Sequence, residues 1–234
     1  MFNEQAFIHR AVEAGQEVCN LMKQDGEISD YEIVIVNDAS TDSTGTIAEG
    51  LAREDPRIKV IHNPNNRRLG GTLKTGFSAA SKDIILYSDA DLPFDMMELR
   101  KAYRIMRNYK ADIVSAYRHD RTGEGPRRAL YSYIYNFLIK TLFGLRVRDV
   151  NFSFKLMRRT IFEHIRLKSE GSFIDAELLI RAQHLGFKIV QFGTDYFPRT
   201  RGISTLSSWS VILNIIKEMF SLRRELKKLA PLPH

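Results

Sequence analysis

The chain has 234 residues, 44% apolar and 27% charged, with 14 Gly, 7 Pro and a single Cys. This composition fits one globular domain with a small appendage and excludes collagen-like or low-complexity disordered chains. The net charge of +7 is unevenly spread, with a net −4 over residues 1–117, +8 over 118–168 and +3 over 169–234, which suggests one cation site and one anion site.

A lone Cys19 excludes an internal disulfide and makes a reducing, cytoplasmic compartment the expectation. The longest apolar stretches are broken by Lys140 and Lys217 before reaching the roughly 20 residues a spanning helix needs. Met1-Phe2-Asn3-Glu4 is neither a basic nor an apolar leader, so no secretory signal is expected.

In chain order, Gln5 to Met22 reads as a helix with no strand before it. Then come a strand at Glu32–Val36, a helix from Thr41 to Arg53, a strand at Lys59–Ile61 and a helix from Gly70 to Ala80. Ile84–Tyr87 is the next strand, followed by a helix from Met96 to Asn108 and a strand at Asp112–Ala116. Strands alternating with helices predict an α/β, mostly parallel, doubly wound sheet that binds ligands at the carboxyl ends of its strands and begins one strand short. Beyond residue 117, Arg127 to Leu145 is a helix apolar over most of its circumference. Phe152–Met157 reads as a strand, Ile174–Leu185 as a helix, Lys188–Phe192 as a strand, and residues 208–229 as a helix with an apolar face and a basic end.

The strongest local signal is Tyr87-Ser88-Asp89-Ala90-Asp91 at the end of an apolar strand. Alternation along an extended chain brings side chains i and i+2 to one side, so Asp89 and Asp91 can converge on a hard cation, Mg²⁺ or Mn²⁺. Taken alone, an Asp-x-Asp is equally the composition of a solvated turn. Asp38, in Val36-Asn37-Asp38-Ala39-Ser40-Thr41-Asp42, stands just past another strand, where a nucleoside base or ribose can reach it. Thr41 or Asp42 is expected to cap the following helix. Asn66 through Gly76 is a Gly-rich helix entry, a type of helix N-terminus that favours phosphate. It matches neither a P-loop nor a dinucleotide fingerprint. The six His show no metal-ligand spacing.

Together, Asn3-Glu4, residues 36–42, Asn66 through Gly76 and Asp89-Ala90-Asp91 resemble, in order and approximate spacing, the inverting family-2 glycosyltransferases of the GT-A (Rossmann-like) fold. Asp149-Val150-Asn151-Phe152-Ser153-Phe154-Lys155-Leu156, Phe173-Ile174-Asp175-Ala176-Glu177 and Pro198-Arg199-Thr200-Arg201-Gly202-Ile203-Ser204 look like later motifs of the dolichol-phosphate mannosyltransferase and polyprenyl-phosphate glycosyltransferase branch. The resemblance implies a metal-dependent transfer of a hexose from a UDP- or GDP-linked donor to a polyprenyl or dolichyl phosphate. Asn3, Glu4, Asp38, Gly70, Lys74, Asp89, Asp91 and Arg199 would bind the nucleotide sugar, and Asp89 and Asp91 its Mg²⁺ or Mn²⁺. Arg118, Arg128 and Ser132 would hold the acceptor phosphate, and Asp91 and Asp175 would be catalytic.

A lipid phosphate is already anionic, so it asks for Arg rather than a general base. The alternatives are a sugar-hydroxyl acceptor with Asp175 as base, or a catalytically impaired binding domain of the same fold. Asp175 and Glu177 are two apart on one helix, so only one of them is expected to line the site. The chain departs from the family's usual motifs at Asn37, Ala39, Ser153 and Thr205, and lacks the strand that normally precedes Asn3-Glu4.

The expected organisation is a single GT-A domain over 1–207, with a nucleotide-sugar half at 1–117 and an acceptor half at 118–207, followed by an amphipathic helix and tail at 208–234. The basic middle segment carries its aromatics within an apolar helix rather than in a stacking platform, which argues against nucleic acid and for peripheral contact with the cytoplasmic face of a membrane.

Overall fold

A computed structural model describes residues 1–120, 126–197 and 209–232, with the side chains of 126–131 and 209–213 left aside. The elements are α1 (Ile8–Gln24), β1 (Ile33–Asn37), α2 (Thr44–Glu54), β2 (Ile58–His62), α3 (Arg68–Ala79), β3 (Ile84–Tyr87) and α4 (Glu98–Tyr109). They continue with β4 (Ile113–Arg118), α5 (Pro126–Phe143), β5 (Lys155–Arg158), a short 3₁₀ turn at Arg159–Glu163, α6 (Ile174–His184), β6 (Ile189–Thr194) and α7 (Trp209–Leu226).

The strands form two sheets. β1 and β2 pair in parallel, and the larger sheet runs β3-β5-β4-β6, with β4 and β6 parallel and β5 antiparallel to both of its neighbours. β3, β4 and β6 therefore share one direction, and β5 is the single reversed strand. The run expected at Phe152–Met157 pairs only from Lys155, because Asp149 to Ser153 is taken up by a turn.

Alternation along the central strands feeds two cores. Tyr87, Ile113 and Met157 join Ile139 and Phe143 of α5, Leu178 and Leu179 of α6, and Ile215 and Met219 of α7 in one core. Leu86, Val114, Leu156 and Phe154 face the opposite way, toward Val18 and Met22 of α1 and Leu99 and Met106 of α4. A third, smaller core lies between β1, α1 and α2. Helix α7 is thus keyed into the main core rather than lying apart, and the His184 ring bridges the last carbonyls of α5 and α7, at 3.0 Å from Phe143 O and Leu226 O.

Among the described residues no strand joins β1 to β3. On the edge of β1 away from β2, Met1 alone makes a parallel-strand pair of bonds. Its amino group donates to Val36 O at 2.6 Å, and Asp38 N donates to Met1 O at 2.7 Å.

Candidate active site

The acidic strand ends meet where β1 and β3 finish. Asp38 is buried; its Oδ1 accepts from Asn63 Nδ2 at 2.7 Å and from the Arg67 N–H at 2.9 Å, which ties the end of β1 to the first turn of α3. Asn3 and Glu4 precede α1 and grip the loop after β1. Asn3 Oδ1 accepts from Thr41 N at 2.9 Å, Asn3 N donates to Ser40 Oγ at 3.0 Å, and Glu4 N donates to Thr44 Oγ1 at 2.9 Å. The α2 helix begins at Thr44, later than expected. Ser43 holds the N-cap position and no side chain caps the helix, so neither expected residue does; Asp42 accepts from Thr44 N and Oγ1, and Thr41 bonds Asn3.

Asp89 and Asp91 come together for a different reason than strand alternation. β3 ends at Tyr87, and residues 89–92 form a turn closed by the Leu92 N–H on Asp89 O at 3.4 Å, with Leu92 at φ +45°. Two deeply placed groups report how the acids are arranged. Burial pushes the Tyr87 phenol well up, and Asp175, Asp89 and Asp91 each push it further; its hydroxyl lies 3.5 Å from Asp89 Oδ1. Burial lowers the Met1 amino group, while Asp38, Asp89 and Glu4 pull it back up. Asp89 thus acts on both the Tyr87 phenol and the Met1 amine, so the ends of β1 and β3 share an acidic environment.

Asp175 is not an open carboxylate. It is buried, and its Oδ1 accepts from Lys155 Nζ at 2.6 Å; Lys155 also donates to Phe152 O at 2.7 Å and lies over the Tyr87 ring at 5.4 Å. Burial raises the Asp175 carboxyl, against the pull of Lys155. Its neighbour Glu177 is also buried, but with a different set of partners. It accepts from the Lys168 and Ser169 N–H groups and pairs with Arg181.

Gly70 and Lys74 need a similar correction. The Gly70 amide is not open to a phosphate, because it donates to Glu170 O at 3.0 Å, and Lys74 pairs with the Glu170 carboxylate. Arg118, the last residue of β4, forks onto Asp149 through Nε (2.7 Å) and Nη2 (2.6 Å), its guanidinium 5.0 Å from the Tyr196 ring centre. Ser132 lies on α5 with its carbonyl accepting from Asn136 Nδ2 at 2.7 Å. Arg199 and the side chains of Arg127 and Arg128 lie outside the described residues.

The residues missed by sequence reasoning are the supports: Asn63 and Arg67 under Asp38, Tyr87 under Asp89, and Lys155 under Asp175. Only Lys155 carried a signal, as the one charge in the strand Phe154-Lys155-Leu156-Met157.

Against this geometry, the description "Glycosyl transferase family 2" matches residues 1–166. The chain belongs to glycosyl transferase family 2. Glycosyltransferase AglD of Haloferax volcanii is 35% identical over 174 residues, which is 72% of this chain and 28% of that protein's length. The undecaprenyl-phosphate mannosyltransferase of Micrococcus luteus is 25% identical over 211 residues, covering 85% of this chain and 86% of that one. Among solved structures, glucosyl-3-phosphoglycerate synthase from Mycobacterium tuberculosis, in complex with Mn²⁺, UDP-glucose and phosphoglyceric acid, superimposes with a TM-score of 0.67. The match covers 93% of this chain and 76% of that one at 18% identity. The fold of this family-2 glycosyltransferase is GT-A, as its motifs implied.

Proposed function

We propose that this glycosyltransferase transfers a hexose, with inversion, from a UDP- or GDP-linked donor to a polyprenyl or dolichyl phosphate. The observation that carries this reading is the placement of the strand-end acids, with Asp38 held by Asn63 and the Arg67 N–H and Asp89 beside the buried Tyr87 hydroxyl. The undecaprenyl-phosphate mannosyltransferase relative supports the acceptor class. Residues 1–117 are assigned to the donor and 118–207 to the acceptor, and α7 packs into the main core.

The pair Asp89 and Asp91 fits Mg²⁺ or Mn²⁺, since both offer hard oxygens, the ligand type of an ion that also takes water and substrate phosphate oxygens. Such an ion supplies Lewis-acid help to the departing diphosphate. The chain's own residues do the rest. Asp38, fixed by Asn63 and Arg67, presents a carboxylate at the nucleoside end, and Asn3 and Glu4 hold the loop beside it. Arg118, pre-oriented by Asp149 and Tyr196, would hold the acceptor phosphate, with Arg128 and Ser132 as its proposed partners. The buried ion pair of Asp175 with Lys155 argues against a hydroxyl acceptor that would need Asp175 as base.

The test is transfer from UDP-glucose and GDP-mannose to a polyprenyl phosphate with Mn²⁺. Asp91→Asn is expected to cut turnover at least about a hundredfold, the scale of losing one preorganised electrostatic contact to the leaving group. Turnover that survives both Asp91→Asn and EDTA would overturn the metal role. Transfer to a free glycan but not to the lipid phosphate would overturn the acceptor.

A further inference from the structure

Residues 165–170 lead into α6 without regular structure, yet the backbone N–H groups from 168 to 171 are all satisfied. Two carboxylates take them. Glu177 accepts from Lys168 N at 3.0 Å and from Ser169 N at 2.7 Å. Glu218, on α7, accepts from Glu170 N at 3.3 Å, from Gly171 N at 3.1 Å and from Ser169 Oγ at 2.6 Å. Seven residues on, and so on the same face of α7, Glu225 takes Lys168 Nζ at 2.7 Å and Arg181 Nη2 at 2.9 Å.

The other side of this segment presses on the first turn of α3. Gly70 N donates to Glu170 O, and a Cβ on Gly70 would stand 2.4 Å from Ser169 O, so backbone meets backbone there. Lys74 reaches Lys168 O at 3.5 Å and pairs with Glu170, while the Arg67 N–H at the head of the same turn holds Asp38 Oδ1. An unbroken series of contacts therefore runs from Glu218 through residues 169–171 and Gly70 to Asp38.

We propose that Glu218 is a positioning residue for the nucleotide-sugar site. From α7 it fixes residues 169–171, which in turn set the first turn of α3 and the carboxylate of Asp38. This rests on the donor-site reading above, and the experiment separates the two. Glu218→Ala removes three hydrogen bonds, whereas Glu218→Gln keeps an acceptor oxygen and is the rescue variant.

Amide hydrogen exchange of the segment 66–76, measured without ligand, is expected to rise in Glu218→Ala and to return close to wild type in Glu218→Gln. The donor KM, and the Kd for UDP and GDP with Mn²⁺, are expected to rise about tenfold in Glu218→Ala with the acceptor KM unmoved, and to stay within about threefold of wild type in Glu218→Gln. Unchanged exchange at 66–76, or donor and acceptor KM rising together, overturns the proposal. Faster exchange in a protein whose wild type binds neither UDP nor GDP overturns the donor-site reading and leaves the mechanical link standing. If Glu218→Ala does not fold, Ser169→Ala removes one of the three bonds and carries the same comparison at smaller amplitude.

Discussion

Lys155 has no solvent exposure and stands opposite Tyr87 on one side and Ser115 on the other, in the middle of the larger sheet. A charge there is tolerable only because Asp175 and Phe152 O take its protons. This pair explains why the role of Asp175 was legible only in part. Its motif and helix position can be read from sequence, but the partner that occupies it is 20 residues away, and its pairing depends on how β5 meets α6. Gly70 is similar, since its Gly-rich context announces a close approach without saying to what. The structure answers with the backbone of Ser169 and Glu170, 2.4 to 2.9 Å from where a Cβ would be. Gly70→Ala is therefore expected to destabilise the protein by about 1 to 3 kcal/mol through overpacking. Denaturant unfolding checks this, and a midpoint equal to wild type would show that the segment yields.

The elements of the nucleotide half fall within a few residues of their expected bounds, because β-branched runs and helical periodicity are local properties. What local pattern does not contain is pairing. The reversal of β5 follows from its pairing with β3 and β4, which are distant in the chain. Around β1 and β2 the elements are also joined by acids that titrate low. Hydrogen bonds from Arg57 hold Asp55 at about 2 against the effect of burial, and Asp55 also takes Gln16 of α1. Burial pushes Glu32 up, but Lys59 and the Ser81 and Lys82 N–H groups outweigh it and hold it at about 2. Acids with depressed folded pKa values stabilise fully above their unfolded values, about 4, and lose that contribution as pH falls toward 2. Thermal unfolding temperatures are expected to drop across that window. In Asp55→Asn/Glu32→Gln the temperature at pH 7 should be lower and the acid limb flatter, and an equally steep limb would assign it to other groups.

At the scale of the whole molecule, the acidic first half includes the strand-end residues Asp38, Asp89 and Asp91, while many of its other acids are taken up in ion pairs. No helix among the described residues is long and apolar enough to cross a membrane. Instead α5 exposes Tyr133, Ile134 and Phe137, and α7 exposes Ile216 and Phe220, beside a strongly basic sequence. Under the proposed lipid-phosphate acceptor, these side chains are the candidates for the membrane contact it would require. Phe137→Ser/Phe220→Ser is expected to weaken sedimentation with anionic vesicles about tenfold or more, given the apolar area withdrawn, while leaving nucleotide binding intact. Equal sedimentation of variant and wild type would place the contact elsewhere.

The reversed strand β5 also acts as a spacer. It lies between β3, which runs out toward Asp89, and β4, which ends in Arg118, and both of those strands point the same way. Two interstrand steps, about 9 to 10 Å, therefore separate the strand leading to the proposed metal from the strand ending in the proposed acceptor clamp. If the proposed donor and acceptor sites hold, β5 is the element that sets the spacing between them.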